Sequence, residues 1–249
     1  QNIASCDEVW VVSRGAGENL RSLGYEGDYI VMENGVDVPR GRVSDEAIAA
    51  ATGRYDLPQN VPVFLFVGRL MWYKGIRIIL DALKTLREKN VDFRMVFVGE
   101  GADGAEIRSY AEERKLSDRC FFTGAISDRE IIRAWYGRSD LFLFPSTFDT
   151  NGLVVREAAA SGTATVMIRN SCASEGVGDG RNGFCIEENA AAMAAKLEEL
   201  CRAPEVMQVV GENAQRELYV SWETAVQRAM ARYEVVIDNY RSGKYPKRE

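Results

Sequence analysis

The sequence predicts an α/β fold: a doubly wound parallel sheet followed by a helical C-terminal tail. Three observations predict it. The strand candidates, VFLFV and LFLF among them, are continuous apolar runs, so they need cover on both faces. Helical spacing fills the intervals between them, as in Ile76, Ile79, Leu80, Leu83 and Leu86. The two patterns alternate from residue 61 to residue 186, which is the signature of repeated βαβ units.

Taken in order, residues 9–12 read as a short strand, 18–23 as a helical turn or two ending at Gly24, and 29–32 as a second strand stopped by Asn34-Gly35. A piece this small has little core of its own and should lean on something else. Ser44 is placed to cap a helix over 45–55. Strands follow at 61–67, 94–98, 120–123, 141–144, 164–168 and 184–186, with helices from Ile76 onward and at 104–115, 128–137 and 153–161. The tail is helical. Ala190, Met193, Ala194, Leu197 and Leu200 form one stripe, and Pro204 opens another helix. The last helix carries Trp222, Ala225, Val226, Ala229, Met230, Tyr233, Val236, Ile237 and Tyr240, a stripe suited either to the core or to a neighbouring surface.

The 249 residues allow one large domain, or a domain with an appendage. A net charge of −6 argues against a nucleic-acid surface. The five cysteines are odd in number and lack CxxC spacing, so they read as reduced thiols of a cytoplasmic protein. With no histidine in the chain, Ser-His-Asp triads, Cys-His dyads and histidine metal clusters are excluded. The polar start and the short VWVV run do not read as a signal peptide, and no apolar run is long enough to span a membrane. Gln1 in place of methionine suggests a piece of something longer.

In an open parallel sheet, ligands bind beyond the carboxyl ends of the strands. After the first long strand come Gly68, Arg69 and, five residues on, Lys74; two cations at one strand end suit a diphosphate. GEGADG at 99–104 matches G-x-G-x-x-G but follows the second strand of the sheet, and the next strand ends in Thr123-Gly124 without a ribose-binding acid. It reads as a tight turn, not a dinucleotide fingerprint. The organising stretch is LFLFPSTFDTNGLVVREAAASG at 141–162. It carries Asp149 before a helix and Glu157 within it, both expected to face the crevice above the strand end. It also presents the backbone N–H groups of Asn151, Gly152 and Leu153 at a helix N-terminus, where anions bind. Carboxylates for hydroxyls beside amides for phosphate suit a sugar nucleotide. No second acid is spaced for a DxD clamp, so a metal-free site is expected.

VGRLMWYKG, VFVGEGADG, FFTGAIS, DLFLFPSTFDTNGLVVREAAASG and GDGRNGF, in this order, resemble the C-terminal half of a GT-B glycosyltransferase of the retaining family 4, also called glycosyl transferases group 1. The resemblance implies three segments. Residues 1–38 would be the remnant of an N-terminal acceptor domain and its linker, 39–220 a Rossmann-like nucleotide-sugar-binding domain, and 221–249 a helix crossing back toward the missing domain. It also implies roles. Arg69 and Lys74 would hold the donor diphosphate and steady the leaving group. Glu157 would bind the ribose, and Asp149 would lie near the transferred sugar. Gly152 and Leu153 amides would meet the phosphate, Gly68 and Gly99 would line the nucleotide, and Gly124, Ala125 and Ile126 would lie beside the base. Two departures stand out: the first acid is Asp149 where the family has Glu, about 1.5 Å shorter in reach, and the usual EGFG loop is DTNG.

The resulting expectation is the donor-binding domain of a bacterial hexosyltransferase. It would take a UDP- or GDP-sugar without a metal and be inactive alone, with a glycan or lipid acceptor. It would be cytoplasmic or at the inner face of a membrane, with membrane association through the missing domain and self-association of the fragment through its uncovered apolar faces. The alternatives are a non-catalytic nucleotide-sugar-binding module and, at lower weight, an NAD-type Rossmann enzyme.

Overall fold

A computed structural model describes residue 3 and residues 6–245; the outermost residues of the expected first and last segments lie outside these. Six parallel strands form the main sheet: β3 (Val63–Val67), β4 (Arg94–Val98), β5 (Cys120–Gly124), β6 (Leu141–Phe144), β7 (Ala164–Ile168) and β8 (Phe184–Ile186). Their spatial order is β5-β4-β3-β6-β7-β8, so the chain winds outward from β3 in one direction, then returns and winds outward from β6 in the other. This is the doubly wound, Rossmann-like sheet, and its switch point lies between β3 and β6. The expected strands at 94–98, 141–144, 164–168 and 184–186 match residue for residue.

Because successive strand residues point to opposite faces, the apolar runs build two layers. Phe64, Phe66, Met95, Phe97, Leu143 and Val166 face helices α3 (Ile76–Glu88), α4 (Gly104–Glu113), α7 (Ala190–Cys201) and α8 (Pro204–Glu217). Val63, Leu65, Val67, Val96, Val98 and Phe142 face α5 (Arg129–Arg138) and α6 (Leu153–Ala160). The helix α2 (Asp45–Thr52) begins where Ser44 accepts from Ala47 N–H and stops at Gly53, short of the expected Tyr55.

The N-terminal piece is a separate two-stranded parallel sheet, β1 (Trp10–Val11) and β2 (Ile30–Val31), joined by α1 (Arg14–Ser22). Both strands are shorter than expected. The helix starts four residues earlier than the predicted 18, because Ser13 caps it by accepting from Ala16 N–H. Its two early glycines hide that start from a pattern reading. They are there for space: a side chain at Gly15 would meet Cys172 Sγ, and one at Gly17 the Tyr29 ring.

The last helix, α9 (Trp222–Arg241), begins beside the linker, where Val36 N–H donates to Val220 O and Trp222 N–H donates to Val36 O. Its stripe does not enter the core. Only Ala225 is buried, while Val226, Met230, Tyr233 and Tyr240 are each more than half exposed. What contact it makes is with the N-terminal piece: Trp10 packs on Tyr233 at 4.8 Å, and Arg232 forks onto Glu8 with Nε–Oε2 at 2.8 Å. No helix among the described residues is long and apolar enough to cross a membrane.

Candidate functional site

The strand ends at the switch point open into a cleft of about 260 Å³. Gly68, Arg69, Lys74, Asp149, Asn151, Gly152 and Leu153 all line it, so residues from three separate segments meet where the sequence places them. Asn34 of the linker and Thr150 complete the rim.

Two turns bring Lys74 to this edge. After Arg69 the chain makes a short 3-10 turn, Trp72–Lys74, closed by Gly75 at φ +77°. A Cβ at Gly75 would stand 2.3 Å from the carbonyl oxygen of Pro145, so only glycine lets this turn sit against the loop after β6. The GEGADG turn braces the same segment. Leu70 N–H donates to Glu100 O at 3.1 Å, and the Asp103 carboxylate accepts from Trp72 N–H at 2.8 Å. The Asp103 carboxylate is therefore spent on protein backbone, in keeping with a structural turn.

Lys74 and Asp149 pair with each other, Nζ to Oδ1 at 2.5 Å, both largely shielded from solvent. Ser146 Oγ donates to the other carboxylate oxygen. The reading that gave Lys74 to phosphate and Asp149 to sugar missed this contact, because the two lie 75 positions apart. Arg69 is different. Its side chain is exposed at the cleft and forms no hydrogen bond or ion pair among the described residues. Beside the pair, Tyr73 and Phe148 stand ring to ring at 5.1 Å, with Phe148 three-quarters exposed; nothing in the sequence marked them.

Gly152 caps α6 in the left-handed region, φ +59° and ψ +50°, against the methyl of Ala173. Val155 N–H bonds back to Gly152 O. The N–H groups of Asn151, Gly152, Leu153 and Val154 have no partner among the described residues, and the positive end of the helix dipole points the same way. Open amides at a helix N-terminus are the arrangement at which anions can be held.

Glu157 corrects one expectation. It lies one turn deeper on α6 and does not line the cleft with Asp149. Its half-buried carboxylate instead accepts from Tyr136 OH of α5 at 3.3 Å. Burial raises the Glu157 pKa; the Tyr136 hydroxyl and the Arg129 charge pull the other way without overcoming it. Burial and the neighbouring Glu157 charge together push the Tyr136 phenol well above its usual range. A carboxylate held so, with a cation nearby, has capacity for a further hydroxyl partner. Gly99 and Gly124 also stand outside the cleft lining, but they continue the strand-end row next to Gly68: Gly68 N–H donates to Val98 O and Gly99 N–H to Gly124 O. Ala125 is exposed just beyond them, and Ile126 packs against the apolar layer under α5. Among the described residues, no group of three or more acids or cysteines is placed to hold a metal ion.

The family profile described as glycosyl transferases group 1 matches residues 50–217, well over half the chain. The chain belongs to that family. A D-inositol 3-phosphate glycosyltransferase of Streptomyces avermitilis is 28% identical over 253 residues, covering 97% of this chain and 54% of the relative. A glycogen synthase of Mycobacterium tuberculosis is 28% identical, covering 78% and 45%. The crystal structure of Anabaena HepE in complex with UDP and glucose superposes with a TM-score of 0.81 at 21% identity, over 92% of this chain and 63% of that one. The chain thus spans about half the length of the curated group 1 relatives it matches. The matched region starts inside α2 and ends with α8, leaving the N-terminal piece and α9 outside the profile.

Proposed function

We propose that this chain is the donor-binding part of a retaining glycosyltransferase that moves a hexose from a UDP- or GDP-sugar to a glycan or lipid acceptor. The observation that carries the reading is the meeting of Arg69, Lys74 and the open N-terminus of α6 in one cleft at the switch point of a group 1 fold. A diphosphate set there would take hydrogen bonds from the Gly152 and Leu153 amides and charge from Arg69. Lys74 would turn toward it from Asp149, freeing that carboxylate for a sugar hydroxyl. Fixed cations and helix-end amides stabilise a departing nucleoside diphosphate, so the transfer proposed is metal-independent. With no nucleophile supplied by these residues, it is a front-face, ion-pair-like displacement. Glu157, one turn along α6, would take the ribose, with Gly68, Gly99, Gly124, Ala125 and Ile126 around the base. The HepE structure, which holds UDP and glucose on a similar fold, supports the donor class.

Transfer itself would need a second domain supplying the acceptor site, with any membrane contact made through that domain. The cytoplasmic face is the proposed setting, in keeping with Cys120, Cys172, Cys185 and Cys201 standing outside any disulfide. Alone, the chain would bind donor, transfer nothing, and self-associate through the outward side of α9. Sedimentation showing a monomer at high concentration would argue against that last point. A second reading, a sugar-nucleotide-binding module without catalysis, is favoured by one observation: both oxygens of Asp149 are already occupied, by Lys74 and Ser146.

The test is calorimetric titration of UDP, GDP, ADP and NAD into the chain and its Arg69→Ala variant, with and without EDTA. One nucleoside diphosphate should bind, indifferent to EDTA, and lose about tenfold or more in the variant, as expected for one charge-assisted bond. Binding of NAD that survives Arg69→Ala would remove the phosphate assignment.

A further inference from the structure

The loop from Pro145 to Asn151 carries Asp149 and leads into the open amides of α6, yet it is held almost without backbone support. Among the described residues, none of its N–H or C=O groups takes part in a backbone–backbone hydrogen bond outside the regular elements. What fixes it is side chains: Lys74 and Ser146 on Asp149, a long contact from Thr147 to Glu188 at 3.4 Å, and Ser13 on Thr150. The last of these comes from the N-terminal piece. Ser13, only 3% exposed, donates to the Thr150 carbonyl oxygen at 2.5 Å across 137 positions of sequence. The same oxygen atom of Ser13 accepts from Ala16 N–H and so begins α1. One hydroxyl therefore joins the first turn of α1 to the loop one residue from Asp149 and two from Gly152.

The joint is braced from the other side. The Glu175 carboxylate accepts from Arg14 N–H at 2.7 Å and Gly15 N–H at 2.6 Å, taking the free amides at the start of α1. The segment that bears Glu175 also places Ala173 against Gly152 and Cys172 against Gly15. Arg156 of α6 reaches Glu33 beyond β2 at 2.8 Å. Loop, helix α6 and the N-terminal piece thus share one small set of contacts, in which the Ser13 hydroxyl both caps α1 and holds the loop.

We infer that Ser13 is a positioning residue for the donor site: through Thr150 it sets the loop that aims Asp149 and the α6 amides, with Glu175 holding α1 in register. The inference rests on the donor-binding reading above and says that the site is completed from outside the Rossmann-like domain. Its consequence is that movement of the N-terminal piece would be felt as a change in donor affinity.

The test uses the 249-residue chain and whichever of UDP, GDP or ADP the wild type binds, followed by calorimetry alongside thermal melting. Ser13→Ala should weaken binding about tenfold, the scale of one lost hydrogen bond, and Ser13→Thr should restore it to within about twofold. Ser44→Ala is the matched control. It removes the corresponding cap of α2, which does not line the cleft, and should lower the melting temperature while leaving affinity unchanged. A purely structural role for Ser13 predicts the same pattern for both cap variants, and equal affinities would overturn the inference. If Ser13→Ala does not fold, Glu175→Gln decides: an affinity within twofold of wild type overturns the inference, and a drop of threefold or more supports it. A wild type that binds none of the three nucleotides overturns the donor-binding reading itself, and this inference falls with it.

Discussion

The central sheet and the two chain ends are built on different physics. Between β3 and β8 the protein buries two continuous apolar layers, with Phe66, Phe97, Leu83 and Leu143 wholly removed from solvent. The ends, β1–α1–β2 and α9, meet each other and the sheet domain chiefly through charged and polar contacts: Glu8 with Arg232, Glu33 with Arg156, and Glu175 with the start of α1. They leave Leu23, Met230 and Tyr240 open to solvent. The contrast teaches that the sheet is held by buried apolar packing, whereas the ends are held by polar contacts nearer the surface, Ser13 with Thr150 among them.

The largest expected effect breaks the comparison at its strongest side. Phe97 is fully buried between Phe66 and the stacked ring of Phe122 at 4.8 Å, so Phe97→Ala should destabilise the fold by about 3–5 kcal/mol in denaturant titration. Tyr233→Ala on α9 should cost under about 1 kcal/mol, since its ring is half exposed. Equal losses would contradict the division into core and attachments.

Next comes acid. The Arg232 guanidinium, helped by Trp10 and Tyr245, holds the half-buried Glu8 carboxyl down at about 2 against an ordinary 4.5. The stabilisation from this lowered pKa is present above 4.5 and is lost as the pH falls from 4.5 toward 2. Hydrogen exchange in α9 should therefore quicken over that window before exchange in β3 and β4 does. Glu8→Gln should show faster α9 exchange already at neutral pH.

The smallest effect has the opposite sign. Burial raises the Glu157 carboxyl, so its contribution favours the folded state below 4.5 and is lost as the pH rises through the raised value. Glu157→Gln should therefore melt higher than wild type at pH 7 while binding nucleotide more weakly. The melting advantage should vanish below pH 4.5. A variant that is both less stable and unchanged in affinity would remove the ribose role.

Much of this contrast was legible in the sequence because continuous apolar strands leave little choice of fold. Runs such as VFLFV and LFLF between amphipathic helices can be satisfied only by a sheet covered on both faces, and the strand ends then fall where ligands bind. Arg69, Lys74, Asp149 and the start of α6 are assigned to that rim on this ground, and they line one cleft. The start of α1 was not legible, since Gly15 and Gly17 carry no helical signal and are explained only by Cys172 and Tyr29 packed against them. The Lys74–Asp149 pair and the Ser13–Thr150 bond were equally hidden, because contacts between residues 75 and 137 positions apart have no local pattern. Glu157 was placed on the correct helix but given the wrong outlook. Spacing along a helix does not reveal that Tyr136 on the neighbouring helix would claim its carboxylate.

A crystal structure of the chain with the nucleoside diphosphate it binds is the most direct measurement. The diphosphate oxygens should lie within hydrogen-bond reach of the Gly152 and Leu153 N–H groups and the Arg69 guanidinium, with Lys74 drawn off Asp149. A nucleotide seated instead on the GEGADG turn, with the Lys74–Asp149 pair intact and Arg69 still free, would contradict it.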